Sequence, residues 1–175
     1  MIGLTTGRET SQRLNILLKE LSAAIPNARV VRRGKSSIEN LSMRLLDGGF
    51  THAIAIYRWH GGPGRMDLFN VTRNGMRQIP PIVLLGSVVL RREYQTKHKS
   101  SVIDALSVEK ASTTTVRVAH ALSEILVLPQ VDYSLSSSCS LHLRESNGSI
   151  VLVVISPDHR DIGPKLVLSK LLWNL

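Results

Sequence analysis

Short, continuously apolar runs alternate along this chain with segments of helical periodicity, and the alternation restricts the fold to a mixed α/β class. The run HAIAIY (52–57) is apolar throughout, as strands covered on both faces are. Helical spacing appears before Pro26 and again in 36–49 and 112–128, which predicts three helices. Their apolar stripes are Leu14, Leu17, Leu18, Leu21 and Ile25; Ile38, Leu41 and Leu45; and Val118, Ala121, Leu122, Ile125 and Leu126.

The clearest local signal is LHLRESNGSIVLVVIS (141–156). Two strand-like runs flank Asn147-Gly148, a dipeptide that favours a tight hairpin turn. Further strands are predicted at MIGLTT (1–6), ARVV (28–31), MDLFNV (66–71) and IVLLGSVVL (82–90). A final helix is predicted from Pro164, since proline suits a first helical turn, with Leu168, Leu171, Leu172 and Leu175 buried.

The chain of 175 residues, 43% of them hydrophobic, suits one domain. We expect a single domain, 1–175, in two halves of about 1–81 and 82–175. The division is placed near Pro81 because GMRQIPP (75–81) holds two prolines, which are expected to break any regular element. Residues 93–111 are mixed and polar, and a loop with one short helix is expected there.

The net charge of +9 suits a polyanionic partner. Residues 1–87 carry 12 Lys and Arg against 5 Asp and Glu, a balance of +7, whereas residues 88–175 carry 10 against 8, a balance of +2. The first half therefore holds most of the anion-facing surface. The run IVLVVI (150–155) is too short to cross a bilayer, so no membrane partner is expected. The single Cys139 excludes a disulfide framework and multi-cysteine metal sites, and indicates a reducing, cytoplasmic location.

The stretch RRGKSS (32–37) ends in the Gly-Lys-Ser of a nucleotide-binding P-loop. A P-loop also needs a glycine five residues before Gly34, and Arg29 stands there, so the phosphate cradle cannot form. The stretch does have the spacing of a capping box at Ser36 and Glu39, preceded by basic residues. A helix start with cations beside it favours a backbone phosphate; a capped helix with solvated cations is the alternative.

A second basic helix start is predicted in TTGRETSQR (5–13). Arg8 and Arg13 flank it, and Thr6 and Glu9 have capping-box spacing. Two such starts in one half strengthen the phosphate hypothesis.

The segment YRWHGGPGRMDL (57–68) leaves a strand and enters a loop of three glycines that Arg65 closes. Arg58 and Arg65 are candidates for phosphate binding, and Trp59 or His60 for base stacking, with close backbone approach at the glycines. The alternative is a tight turn with Trp59 in the core, and for Trp59 alone core packing is preferred.

No catalytic motif is visible. The six histidines lack H-E-x-x-H or comparable metal-ligand spacing, so neither a metal nor a cofactor is expected. Asp158, His159 and Asp161 can be drawn as an acid/base cluster, but a polar loop before a helix accounts for them better.

Four segments in this order are fairly specific: LTTGRETSQRLNILLKEL (4–21), RRGKSSIENL (32–41), GGPGRMDLF (61–69) and DIGPKLVLSKLL (161–172). Together they resemble the Brix-domain family of ribosome-biogenesis proteins over nearly the whole chain, most closely its compact archaeal members, related to a eukaryotic factor of the small-subunit processome. The segment from Gln95 to Ser112 departs from the usual central segment of that family.

The resemblance implies a Brix fold, two similar α/β halves each like an anticodon-binding domain, with mixed sheets and packed helices. It also implies a non-catalytic protein that binds ribosomal RNA precursor and helps its processing and assembly. The positions that match basic residues of the family are Arg8, Arg13, Arg32, Arg33, Lys35 and Arg65, and Gly163, Pro164 and Lys165 match its late Gly-Pro-basic motif. The predicted RNA-binding set adds Ser36 and Arg58 to these cations and Lys165.

Two other classes stay open at this stage. One is an RNA-processing enzyme that uses the 158–161 loop. The other is a protein-interaction module on ribosomal precursors, with ribosomal or assembly-factor proteins as partners and its charge serving solubility.

Overall fold

The computed structural model describes residues 1–94, 102–109, 112–133 and 138–174. Within them the chain forms three α-helices and ten strands. In chain order these are β1 (Ile2–Thr6), α1 (Gln12–Ala24), β2 (Ala28–Val30), α2 (Ile38–Asp47), β3 (His52–Trp59), β4 (Gly62–Thr72), β5 (Gly75–Val89), β6 (Ala105–Val108), α3 (Thr113–Leu126), β7 (Gln130–Asp132), β8 (Ser140–Ser146), β9 (Ser149–Ile155) and β10 (Asp161–Leu172).

The ten strands form one sheet in the order β2-β1-β3-β4-β5-β10-β9-β8-β6-β7. β1 pairs in parallel with β2 and β3, and β6 pairs in parallel with β7 and β8. All other neighbours are antiparallel, including β5 and β10 at the centre. The order and directions of β1–β5 are therefore repeated by β6–β10, which gives two topologically similar halves joined along β5 and β10.

The helices divide between the two faces of the sheet. Leu14 and Leu17 of α1 share one core with Val118 and Leu122 of α3. α2 lies on the opposite face, where Leu41 packs with strand residues of the first half. The first core contains strands of both halves, so a continuous apolar layer spans them. Each helix buries most of the stripe that its periodicity predicts. The exceptions are Ile38 of α2 and Ala121 of α3, which are half-buried, and Ala119 is buried in α3 instead.

Several predicted strands are confirmed. HAIAIY lies in β3 and IVLVVI in β9, and both runs are buried except for half-buried His52, Tyr57 and Ile150. Asn147 and Gly148 form a two-residue turn between β8 and β9, with φ of 50° and 73°. Positive φ at both central residues is what a tight hairpin needs, and Asn-Gly supplies it with little strain.

The prediction of a final helix from Pro164 is wrong. Residues Asp161–Leu172 form β10, which is bonded to β5 on one side and to β9 on the other. Leu166 and Leu168 are buried on one face, at the spacing of two residues that a strand requires. The spacing of Leu168, Leu171 and Leu172 is compatible with a helix, but two neighbouring strands satisfy the backbone instead.

The expectation that Pro80 and Pro81 break regular structure is also wrong. β5 runs without interruption from Gly75 to Val89. Its register with β4 shifts between the pair Leu68 and Ile79 and the pair Met66 and Val83. The prolines lie within this shift, outside the regular pairing. The single domain with a division near Pro81 stays a prediction.

The polar region 93–111 contains a strand that its sequence did not suggest. Ala105–Val108 forms β6, between β8 and β7 in the sheet. A single 3₁₀ turn lies at Arg91–Glu93. The described part of this region, 93–94 and 102–109, contains no α-helix, and residues 95–101 and 110–111 lie outside the described residues. No helix in the described part of the chain is long and apolar enough to span a membrane.

Candidate functional site

A crevice of about 630 Å³ opens at the carboxyl ends of β1 and β2, beside the first turns of α1. We call it the basic crevice. Its lining includes Thr6, Arg8, Asn15, Lys19, Arg32 and Arg33. The segment after β1 enters α1 on one face of the sheet, whereas the segment after β2 enters α2 on the other. Such a switch point at the carboxyl ends of parallel strands is a common position for a ligand.

The basic crevice is strongly positive. Arg8, Lys19, Arg32 and Arg33 line it, and none of the described lining residues is Asp or Glu. The pKa of the Glu39 carboxyl, at the start of α2, is lowered mainly by its hydrogen bond with Ser37. The charges of Arg33 and Arg8 lower it further, so the field of the crevice reaches this helix start. Clustered cations in a concave surface attract a polyanion and neutralise its phosphates.

Guanidinium groups hold the loop between β2 and α2 in place. Arg33 Nε donates to the carbonyl of Ser36 at 3.2 Å, and Arg44 donates to the carbonyl of Arg32 at 3.1 Å. Gly34 has a φ of 61°, a conformation that glycine adopts without strain. Arg32 and Lys35 extend from this loop with exposed side chains. The loop thus presents cations from a backbone that has internal support.

The predicted capping boxes are wrong in detail. Ser37, not Ser36, caps α2 and accepts from the N–H of Asn40 at 3.2 Å, while Ser36 is half-buried in the preceding loop. Ser11, not Thr6, caps α1. Thr6 is buried at the end of β1 and donates to the carbonyl of Gly7. Both helix starts lie beside basic residues, as expected, but one begins a residue later and the other five residues later than the spacing indicated.

Two predicted phosphate-binding arginines have carboxylate partners. Arg13 forms an ion pair with Glu93 and donates to the carbonyl of Val88 at 2.6 Å. The hydrogen bond with Glu93 is the main cause that raises the pKa of Arg13, and the charges of Glu93 and Glu20 raise it further. Arg65 binds Asp67 through two hydrogen bonds of 2.6 Å, and Asp67 is only 2% exposed. These two arginines therefore stabilise the fold through their carboxylate partners.

The Gly-rich loop at 61–64 is mostly strand. Trp59 pairs with Gly62 and Arg58 with Pro63, so only His60 and Gly61 form the turn between β3 and β4. Core packing of Trp59, the preferred interpretation from sequence, is wrong, because Trp59 is 67% exposed. Arg58 is exposed beside it.

The hairpin of β3 and β4 adjoins the basic crevice. The N–H of Gly7 donates to the carbonyl of Ile56 at 3.3 Å, and a Cβ on Gly7 would lie 2.8 Å from the ring of Tyr57. The chain continues directly from Gly7 to Arg8 of the crevice. Arg58 and the turn therefore extend past the end of β1, at the end of the sheet where the crevice opens.

Lys165 lies elsewhere. It is half-buried on β10, paired with Val89 of β5 and Val153 of β9, near the junction of the two halves. The sequence also missed two members of the crevice, Asn15 and Lys19. Their spacing of four residues on the exposed face of α1 is the signal that would have found them.

The acid/base cluster drawn from sequence does not assemble. Asp158 pairs with Arg160 at 2.8 Å, whereas Asp161 binds Arg144 through hydrogen bonds of 3.0 and 2.7 Å. The ring of His159 packs instead against Tyr133, with ring centroids 4.6 Å apart. Each side chain thus has a different partner. Among the described residues, no group of three or more His, Cys, Asp and Glu side chains is placed to hold a metal ion.

In the second half, an acidic side chain of the protein itself is hydrogen-bonded to the start of α3. α3 follows β6 as α1 follows β1, and its cap is Ser112. Glu145 Oε1 accepts from the N–H of Ser112 at 2.9 Å and from the hydroxyl of Thr115 at 2.6 Å. These bonds lower the pKa of Glu145. A carboxylate of the chain thus occupies a place that an external anion would take.

Comparisons with known proteins agree with this architecture. No family model matches the chain. A probable Brix domain-containing ribosomal biogenesis protein of Pyrococcus horikoshii is 30% identical over 93 residues, 53% of this chain and 41% of the relative. A protein of the same description from Thermococcus kodakarensis is 29% identical over 93 residues, 53% of this chain and 44% of the relative. The match thus spans less than half the length of these relatives.

Two crystal structures share the fold over nearly all of both chains. A probable ribosomal biogenesis protein from Aeropyrum pernix superposes with a TM-score of 0.79 at 21% identity, covering 97% of this chain and 95% of the other. Mil, an archaeal Imp4-like protein, superposes with a TM-score of 0.70 at 19% identity, covering 99% and 100%.

The chain is a mixed α/β protein with the Brix fold of archaeal Imp4-like proteins. Its curated homologues are archaeal Brix domain-containing ribosomal biogenesis proteins. The family resemblance and the fold class drawn from the sequence are confirmed.

Proposed function

We propose that this protein is a non-catalytic assembly factor of ribosome biogenesis that binds ribosomal RNA precursor through the basic crevice. The observation that carries the proposal is the crevice itself, in which four cations line the carboxyl ends of β1 and β2 without a carboxylate among the described lining residues. The names of the curated homologues support the biological setting.

Within the crevice, each cation has a different part. Arg33 is fastened by its Nε to the loop, so its orientation is fixed before RNA arrives. Arg8, Arg32 and Lys19 are exposed and adapt to the path of the backbone. Phosphate contacts of this kind set position, while the choice of RNA comes from shape or unpaired bases.

The protein positions RNA rather than cutting it. The acidic and histidine side chains of the 158–161 region serve ion pairs and ring packing, which supports this part of the proposal. A free, buried Cys139 fits a cytoplasmic setting. Ribosomal or assembly-factor proteins are further candidate partners.

The test measures binding to small-subunit ribosomal RNA fragments, unrelated structured RNA and duplex DNA at one fixed salt concentration. The crevice variant Arg8→Ala/Arg32→Ala/Arg33→Ala is compared with Arg73→Ala/Arg77→Ala/Lys170→Ala, which removes the same charge from exposed positions outside the crevice. We expect the first to lose at least about tenfold in RNA affinity and the second less than about threefold. Equal losses would show that net charge alone attracts RNA, and RNA cut during incubation would contradict the non-catalytic role.

A further inference from the structure

We propose that the turn of the β3–β4 hairpin is a base-stacking site, so that the ligand of the basic crevice is single-stranded RNA with an unpaired base on Trp59. This inference rests on the proposed function and deepens it, because it names the form of RNA that the site accepts. It is carried by four observations on the hairpin: the exposure of Trp59, the fixed turn, the position beside the crevice and the charge.

Trp59 is unusual for a tryptophan in a folded chain. It is 67% exposed, and its ring meets the ring of His60 edge to face with centroids 5.3 Å apart. Trp173, by comparison, is half-buried and has the guanidinium of Arg117 over its ring at 4.1 Å. A large aromatic ring exposed to this extent presents apolar area that an aromatic base can cover.

The hairpin holds the ring in a defined place. His60 and Gly61 have φ of 46° and 86°, the positive values of a tight two-residue turn. The register shifts between Tyr57 and Arg58, so that Gly64 is an extra residue beside Trp59. A Cβ on Gly64 would lie 2.2 Å from the Trp59 Cβ, so the two backbones approach as closely as glycine permits. The backbone that carries Trp59 is thus fixed by the turn and by the close approach of Gly64.

The hairpin that carries Trp59 begins beside the crevice. Tyr57 packs against Gly7, and the crevice residue Arg8 follows Gly7 in the chain. Trp59 lies two residues beyond Tyr57, which is about 7 Å along a strand. On the proposed path, an RNA strand with phosphates in the crevice continues past the end of β1 and places an unpaired base on Trp59.

The charge of the hairpin favours RNA over a protein partner. Residues 58–64, RWHGGPG, contain the cation Arg58 and no carboxylate. An exposed aromatic ring beside cations along a positive groove is the usual arrangement for single-stranded nucleic acid, with phosphates on the cations and bases on the rings. Bases in the interior of a duplex are stacked on each other and cannot cover Trp59.

The first test uses tryptophan fluorescence. In Trp173→Phe, Trp59 is the remaining tryptophan, since the chain has two. A dodecamer of uridylate and a blunt RNA duplex of the same length are titrated into this variant. We expect the dodecamer to quench Trp59 at the concentrations at which it binds, and the duplex to bind without comparable quenching. Binding of the dodecamer without any change in fluorescence would overturn the proposal and favour a protein contact for Trp59.

The second test measures affinity. Trp59→Ala is expected to weaken dodecamer binding by about tenfold to hundredfold, while Trp59→Phe keeps most of the affinity. The duplex affinity and the salt dependence stay unchanged, because no charge is removed. Met43→Ala, which trims another exposed apolar side chain, is the matched control and should change neither affinity.

The outcomes separate this inference from the proposed function. If Trp59→Ala binds the dodecamer within about twofold of wild type while the crevice variant loses affinity, the stacking site is wrong and the phosphate site stands. An equal loss for dodecamer and duplex in Trp59→Ala also contradicts stacking on an unpaired base. If the unaltered protein binds the ribosomal RNA fragments but not the dodecamer, the stacking site is wrong and the proposed function stands; if it binds none of these RNAs, both proposals are wrong.

Discussion

Arg58 and Glu145 occupy equivalent positions in the two halves of the sheet. Each stands two residues before a two-residue turn, His60-Gly61 in the first half and Asn147-Gly148 in the second. The first half thus presents a cation where the second half presents a carboxylate that is already bonded to the start of α3. The repeated topology has opposite charge at this position, which agrees with an anion site in the first half alone.

The carboxylate of Glu145 is expected to stabilise the second half. Its pKa is lowered in the folded state, mainly by hydrogen bonds from Ser112 and Thr115. A group with a depressed pKa contributes stability above its unfolded pKa, 4.5 here, and loses it as pH falls through the folded pKa. Urea unfolding should therefore find Glu145→Gln less stable than wild type at pH 7, with the difference shrinking as pH falls below about 4.5 and vanishing once pH is below the folded pKa. A difference that persists in acid would contradict the role of the charge.

Arg65 is predicted to stabilise the fold more than it contributes to RNA binding. Asp67 is buried and Arg65 is its partner, so Arg65→Ala leaves a carboxylate unpaired inside the protein. We expect a loss of about 2–4 kcal/mol in the free energy of unfolding. Asp67→Asn should restore part of the loss in the double variant.

The control for that measurement is Arg58→Ala, an exposed arginine on the neighbouring strand, which should change stability by less than about 0.5 kcal/mol. If both single variants are equally stable, the assignment of Arg65 to the fold is wrong.

Two glycines of the same strand should respond differently to alanine. At Gly64 the new methyl group would collide with Trp59, at 2.2 Å from its Cβ, whereas at Gly62 no atom lies within 4 Å. Thermal or urea unfolding is expected to show a loss of about 1–3 kcal/mol for Gly64→Ala and less than about 0.5 kcal/mol for Gly62→Ala. Similar values for the two variants would mean that the hairpin adjusts freely around Trp59.

His142 should make stability depend on pH. It is 1% exposed, its Nδ1 lies 3.1 Å from the hydroxyl of Ser107, and burial is the main cause that lowers its pKa, with Arg144 adding to the effect. The unfolded chain therefore binds the proton more readily, and stability falls as pH decreases below about 6.5. The limiting slope for one proton is about 1.4 kcal/mol per pH unit.

Urea unfolding of wild type and His142→Gln between pH 7.5 and 5.5 measures this slope. His52, whose pKa is also lowered by burial, is present in both proteins and cancels. We expect the steeper decline in wild type. Parallel lines would show that His142 does not carry the effect.

The elements that were predicted correctly have local causes. The leucine stripe of α1 and the Asn147-Gly148 turn follow from residues close in sequence. β10 and β6 depend on distant partners instead. Leu168 and Leu171 fit a helix until β5 and β9 bond to their backbone, and the short run Ala105–Val108 becomes a strand because β8 lies beside it. Long-range pairing of this kind overrides local spacing.

The same distinction between local and long-range contacts explains which residues of the site could be predicted. In sequence, Arg13 looks as available as Arg32, but Glu93 binds it from 80 residues away. The Arg65–Asp67 pair was accessible to prediction, because residues two apart in a strand share a face. It was missed because the glycines around Gly62 were interpreted as a loop. Exposure of Trp59 depends on the exact turn residues and could not be derived from composition.

The most direct test of the RNA-binding account is the salt dependence of single-stranded RNA affinity in wild type and in Arg8→Ala/Arg32→Ala/Arg33→Ala. Each phosphate neutralised on a single strand contributes about 0.7 to the slope of log affinity against log salt. If the three arginines each neutralise one phosphate, the slope of the variant should be shallower by about 2. An unchanged slope, or a shallow slope in wild type, would contradict phosphate binding in the basic crevice.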